Sequence, residues 1–201
     1  MSPQPEKSLH SAVSQPRACS QHYSPEERAF LVRLAHESIA ATLDGRESQP
    51  ASVPERLREP RGAFTTLYLD GEVRGCVGYV FAAAPLYQTV METADAAAFH
   101  DLRFMPVNRE EATRLQVSIS VLSPVEPIRP EQIELGKHGL IVTLGQRRGL
   151  LLPQVPLEHG WDVETFLEQT CRKAGLAPNA WQRGATLEAF TAEIFGEHSE
   201  G

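Results

Sequence analysis

The sequence predicts an α+β fold, a mainly antiparallel sheet flanked by helices, on three observations. Phe64–Leu69 and Val73–Gly78 are β-rich runs on either side of Asp70-Gly71, a strong two-residue hairpin signal. Leu115, Val117, Ile119 and Val121 alternate with Gln116, Ser118 and Ser120, the pattern of a strand buried on one face. Helical periodicities lie among these strands without a repeating strand-helix-strand rhythm, which disfavours a parallel sheet.

The elements follow in order. Met1–His22 is rich in Ser, Gln and Pro, lacks a hydrophobic signal core and reads as a flexible tail. Ser24 caps a helix, Pro25 suits its first position and Glu27 completes a capping box. Leu31, Leu34, Ala35, Ser38, Ile39 and Thr42 form its inner face, while Arg33 and Glu37 face solvent. Asp44–Arg61 is a long connection that wraps the surface or moves. After the hairpin, Pro85-Leu86 opens a helix running to Phe99, with Val90, Thr93, Ala94, Ala97 and Ala98 on one side. Asn108 and Glu111 cap a short helix before the alternating strand, which Pro124 stops. Leu140–Leu144 and Gly149–Leu152 form a second hairpin with Arg147-Arg148 at its tip. A helix capped by Asp162 buries Val163, Phe166, Leu167, Thr170 and Ala174 and ends at Gly175, and a last strand spans Phe190–Phe195.

Composition narrows the function classes. With 201 residues, 41% of them hydrophobic, the chain buries one sizeable core or two small lobes sharing an interface. A net charge of −7 with 19 scattered basic residues argues against nucleic acid as a partner. No apolar run approaches the roughly 18 residues that span a bilayer, so no membrane is implied. Cys19, Cys76 and Cys171 include no close pair, which fits neither a disulfide framework nor a structural zinc site and points to the reducing cytoplasm. The glycines match neither a P-loop nor a dinucleotide fingerprint, and Gly-x-Ser-x-Gly is missing, so the cofactor is unknown.

The richest stretch is Val73-Arg74-Gly75-Cys76-Val77-Gly78. Arg74 and Cys76 stand two apart on a strand and project from one face, and Gly75 and Gly78 leave room for another backbone or a ligand. A guanidinium beside a thiol makes it more reactive, although a lone cysteine also serves as a small hydrophobe. Four stretches accompany it: Gly62–Leu67, Asp101–Val107, Gly136–Leu140 and Gly149–Val155. In this order the set resembles the AMMECR-one domain family, in particular its prokaryotic branch, the A component of the Memo and radical-SAM associated system. The resemblance covers about Tyr23 to Glu197. It implies a single domain over 23–197, between tails at 1–22 and 198–201, with two subdomains and a cleft where the motifs converge. It also implies Memo-like and radical-SAM proteins as partners.

Individual sites keep two readings each. Asp101 and Arg103 match the family's Asp-x-Arg-Phe pattern, with Leu102 replacing a proline or small polar residue. They form either a hydrogen-bonded turn or a site where Arg103 holds a substrate anion. His138, between Gly136 and Gly139, either moves a proton or holds a bend. Gln154 stands where an amide can recognise a ligand. His100-Asp101 lacks the further ligands a metal site needs, so no metal is expected there. His159 and Trp161 read as surface and packing residues, and Cys171 as structural. Two function classes follow. One is a cytosolic enzyme with Cys76 as nucleophile or acid/base, aided by His138 or His100. The other is a noncatalytic component binding a small molecule, peptide or protein.

Overall fold

The computed structural model describes residues 22–81 and 83–197; Cys19 and the two expected tails, except His22, lie outside them. Helix α1 (Pro25–Leu43) opens on the expected capping box, with the Ser24 hydroxyl accepting the Glu27 amide and the Glu27 carboxylate accepting the Ser24 amide. Ala41 takes the last inward place expected for Thr42, which is exposed and donates its hydroxyl to Asp95 of α2 (Leu86–Phe99). The 44–61 connection wraps the surface, buries Leu57 within a 3₁₀ turn (Glu55–Arg58) and bonds its Glu59 carbonyl to the Leu86 amide.

The first sheet has the order β2 (Glu72–Tyr79), β1 (Ala63–Leu69), β3 (Gln116–Leu122), β8 (Ala192–Gly196), antiparallel throughout. One face, with Leu67, Val117, Ile119 and Val121, packs against α1 and α2, and Thr65 hydrogen-bonds Thr93 of α2 across that interface. The β1–β2 hairpin turns at Asp70 and Gly71, both with positive φ, as its Asp-Gly signal predicts. A bulge follows: Tyr68 pairs with Val73 but Leu67 with Gly75, so Arg74 is an extra residue.

The second sheet has the order β4 (Glu126–Pro127), β7 (Thr186–Phe190), β5 (Gly139–Leu144), β6 (Arg147–Leu151), and α5 (Val163–Lys173) packs on it through Phe166 and Leu167. Its β5–β6 turn is Gly145-Gln146, so Arg147 and Arg148 belong to β6 and not to a solvated tip. There Arg147 donates to the Gly175 carbonyl at 2.7 Å, and Arg148 pairs with Glu188 and lies over the Phe81 ring.

The single last strand expected at Phe190–Phe195 is two strands in different sheets. The chain leaves β7 at Phe190 and enters β8 at Ala192, while between β3 and β4 it crosses in the opposite sense through Ser123. The crossings are tied together: the Ser123 amide donates to the Thr191 carbonyl at 2.9 Å, and the Thr191 amide donates to Ser123 Oγ at 3.0 Å. Leu122 from the first sheet and Ile141 and Phe190 from the second form the seam between the sheets, with Phe64 packed on it. The short helices α3 (Arg109–Ala112) and α4 (Val155–Glu158) complete the fold, and no helix among the described residues is long and apolar enough to cross a membrane.

Candidate functional site

Residues paired across neighbouring strands face the same side of a sheet, so the register places Cys76. Cys76 pairs with Thr66, which pairs with Ser118, which pairs with Gly196. Thr65, one residue away, points at α2, so this row lies on the opposite face, away from the helices. Cys76 is half-buried there, and the Thr66 hydroxyl donates to its sulfur at 3.2 Å. A thiol and two hydroxyls thus line up across three strands.

The backbone of Cys76 is gripped by the loop after α2. Asp101 accepts the Cys76 amide at 3.0 Å and the Arg103 amide at 3.2 Å, and Arg103 Nη2 donates to the Cys76 carbonyl at 3.3 Å. Arg103 also binds Asp101 through Nε at 2.9 Å and Nη2 at 2.6 Å. The pair substitutes for a neighbouring strand at the edge of β2, where unpaired backbone groups otherwise face outward. The Arg103 guanidinium, helped by the Cys76 amide, holds the Asp101 carboxyl well below the usual carboxylate range. Asp101 is half-buried with its side chain shielded, Arg103 is mostly exposed, and Leu102 and Met105 on the same loop stand at 100% and 80% exposure.

Arg74 does not sit beside the sulfur. Its guanidinium binds Glu111 of α3 through Nε at 3.0 Å and Nη2 at 3.2 Å, near the Phe104 ring, with both side chains largely buried. The Arg74 bond and the Asn108 amide lower the Glu111 pKa, while Arg74 Nη1 finds no acceptor. Room at Gly75 and Gly78 has a packing use. A Cβ at Gly75 would stand 2.1 Å from the Ala97 carbonyl oxygen of α2, and one at Gly78 would stand 2.2 Å from the Phe64 ring.

His138 lies elsewhere, in the bend before β5, where Gly136 takes a φ of +81°. Its Nδ1 accepts the Glu134 amide at 3.0 Å, which leaves Nε2 to carry the proton of the neutral ring. It lines a cavity of about 330 Å³ with Glu126, Gln132, Glu134 and Phe190. A second cavity, of about 710 Å³, shares Ser123, Pro124, Glu126 and Thr191 with the first, so the sheet crossing partitions them. Cys76 lines neither. No histidine among the described residues hydrogen-bonds its sulfur.

The other expected residues disperse. Gln154 is exposed at the start of α4, and His100 is exposed beside Asp95. His159 stacks on Trp161 with ring centroids 4.6 Å apart. Cys171 is fully buried against Val142 and Ala180, and burial pushes its thiol pKa up. Thr66, Ser118 and Glu111 are the members the sequence reading passed over. Glu111 carries a visible signal as the capping acid of α3, whereas the hydroxyl row emerges only from the strand register.

Comparison with known proteins gives one consistent result. The family model described as AMMECR1 matches residues 32–195. Protein MJ0810 of Methanocaldococcus jannaschii is 44% identical over 182 residues, covering 86% of this chain and 90% of the relative. A protein of Aquifex aeolicus is 39% identical over 177 residues, covering 83% and 91%. The crystal structure of uncharacterized protein PH0010 from Pyrococcus horikoshii matches with a TM-score of 0.74 at 43% identity, covering 85% of this chain and 91% of that one.

Proposed function

The chain belongs to the AMMECR1 family, and from that premise we propose that it is an enzyme, or part of one, working on the open face of its first sheet at Cys76. One observation carries this reading: a half-buried thiol faces away from the helical core, beside the Thr66 hydroxyl, with its amide and carbonyl both held by Asp101 and Arg103. A nucleophile needs access and a fixed backbone, and packing alone needs neither. Arg103 is mostly exposed and donates to the Cys76 carbonyl, so an anionic substrate group has a guanidinium partner nearby. His138 supplies a proton donor only if substrate or a movement connects the smaller cavity to the sheet face.

Alkylation tests this directly. In the folded protein Cys76 is modified faster than Cys171, and Cys76→Ser folds normally but fails in whatever conversion the unaltered protein performs. Equal, slow labelling with a loss of stability in Cys76→Ser returns the residue to a packing role.

A binding role is the second reading, favoured by Leu102 and Met105. Large apolar side chains displayed on a pinned loop beside the motif suit contact with another protein. Memo-like and radical-SAM proteins in a reducing cytoplasm are the partners proposed from the family resemblance. Co-purification that survives alteration of both Arg74–Gly78 and the 102–105 loop excludes this surface as the docking site.

A further inference from the structure

We infer that the larger cavity at the sheet crossing binds a small anionic molecule through phosphate or carboxylate groups, a function separate from the chemistry proposed at Cys76. Its volume of about 710 Å³ falls within the roughly 300–1,000 Å³ of small-molecule sites. Three cations reach it from three separate segments: Arg56 from the 3₁₀ turn, Arg61 from the entry to β1 and Lys137 from the bend before β5. In a chain of net charge −7, this convergence opposes the overall field.

One of the two acids on the wall is already matched. Glu193 is bound by Arg28 at 2.8 Å and by the Tyr23 amide at 3.0 Å, so its charge is matched within the wall. Glu126, in the exposed two-residue strand β4, is the other lining carboxylate. Arg56 is held in place by the His22 carbonyl at 2.7 Å and by the face of the Tyr23 ring, 4.4 Å away, and it pairs with Glu27 at 3.5 Å.

The other two cations are paired in a way that a ligand can replace. Arg61 meets Glu59 at 2.8 Å and Lys137 meets Glu134 at 2.7 Å, and neither acid lines this cavity. Such solvent-accessible pairs are weak, whereas a guanidinium binds phosphate or carboxylate through two parallel bonds. Glu134 lines the smaller cavity, so an anion that draws Lys137 inward releases a carboxylate on the side where His138 stands.

Titration calorimetry on the full chain, with pyrophosphate and separately with citrate at constant ionic strength, tests the assignment. Binding of pyrophosphate alone identifies a phosphate site, citrate alone a carboxylate site, and both a site that accepts either group. The expected result is binding that weakens about tenfold or more in Arg61→Gln/Lys137→Gln, consistent with the loss of charge-assisted bonds, and is unchanged in Arg147→Gln. A second measurement needs no variant: the bound anion shields Lys137 from acetylation but leaves Lys173 on α5 reactive. Absence of both heat and shielding, or binding indifferent to the double substitution, overturns the proposal.

Discussion

Replacing Asp101 by alanine tests the link between the loop after α2 and the strand that carries Cys76. The carboxylate accepts the Cys76 amide at 3.0 Å and the Arg103 amide at 3.2 Å, and it holds the Arg103 guanidinium. Leaving the partly buried Cys76 amide without an acceptor costs about 1–3 kcal/mol. The ion pair adds only about 0.5 kcal/mol, because Arg103 is largely in solvent and such pairs are screened. The total is about 1.5–3.5 kcal/mol, which for a chain of this size lowers Tm by about 3–14 °C. Thermal unfolding followed by circular dichroism reads this out. Charge is separated from hydrogen bonding by Asp101→Asn. The folded-state pKa of Asp101 lies below its ordinary value of 3.8, so the carboxylate's advantage over the amide is full above that pH. It is lost as pH falls through the folded-state value. A Tm within about 1 °C of the unaltered protein in Asp101→Ala, against the shift expected from this size scaling, refutes the assignment of the loop as the strand's edge partner.

Three further outcomes follow from the same geometry. Gly75→Ala drives a Cβ into the Ala97 carbonyl and destabilises by about 1–3 kcal/mol or more; an unchanged denaturant midpoint shows that α2 does not sit that close. Glu111→Ala strands the largely buried Arg74 guanidinium and costs about 2–4 kcal/mol. A double-mutant cycle with Arg74→Met recovers part of that loss, and strict additivity rules out the pairing. Ser123→Ala leaves the Thr191 amide without its acceptor and costs about 1–2 kcal/mol, and faster hydrogen exchange at Thr191 is its signature; equal exchange rates reject the tie between the crossings.

Much of the architecture was legible because it is written in local chemistry. The capping boxes at Ser24 and Asn108, the Asp-Gly turn and the alternation through Val117 and Ile119 all depend on neighbours within a few residues. What escaped depends on distant chain. Phe190–Phe195 reads as one strand because nothing in its alternation reveals that Thr191 pairs with Ser123 and passes between sheets. The orientation of Cys76 escaped for a subtler reason. A plain hairpin counted from Asp70-Gly71 sets Cys76 opposite Thr65, facing α2; the extra residue at Arg74 moves it opposite Thr66, onto the other face. Arg74 and Cys76 were recognised as a unit, but the guanidinium's attraction to Glu111, far along the chain, was not visible from their spacing.

The exchange of strands at Ser123 and Thr191 also governs how the protein can be made. The sheet bearing Cys76 takes its fourth strand from Ala192–Gly196, which comes after every strand of the second sheet. During synthesis the first three strands and the helices α1 and α2 therefore leave the ribosome with one sheet border still open, and they stay so until all four strands of the second sheet have followed. Sticky nascent edges of that kind are where aggregation starts, and deleting Ala192–Gly196 would make that unfinished condition permanent.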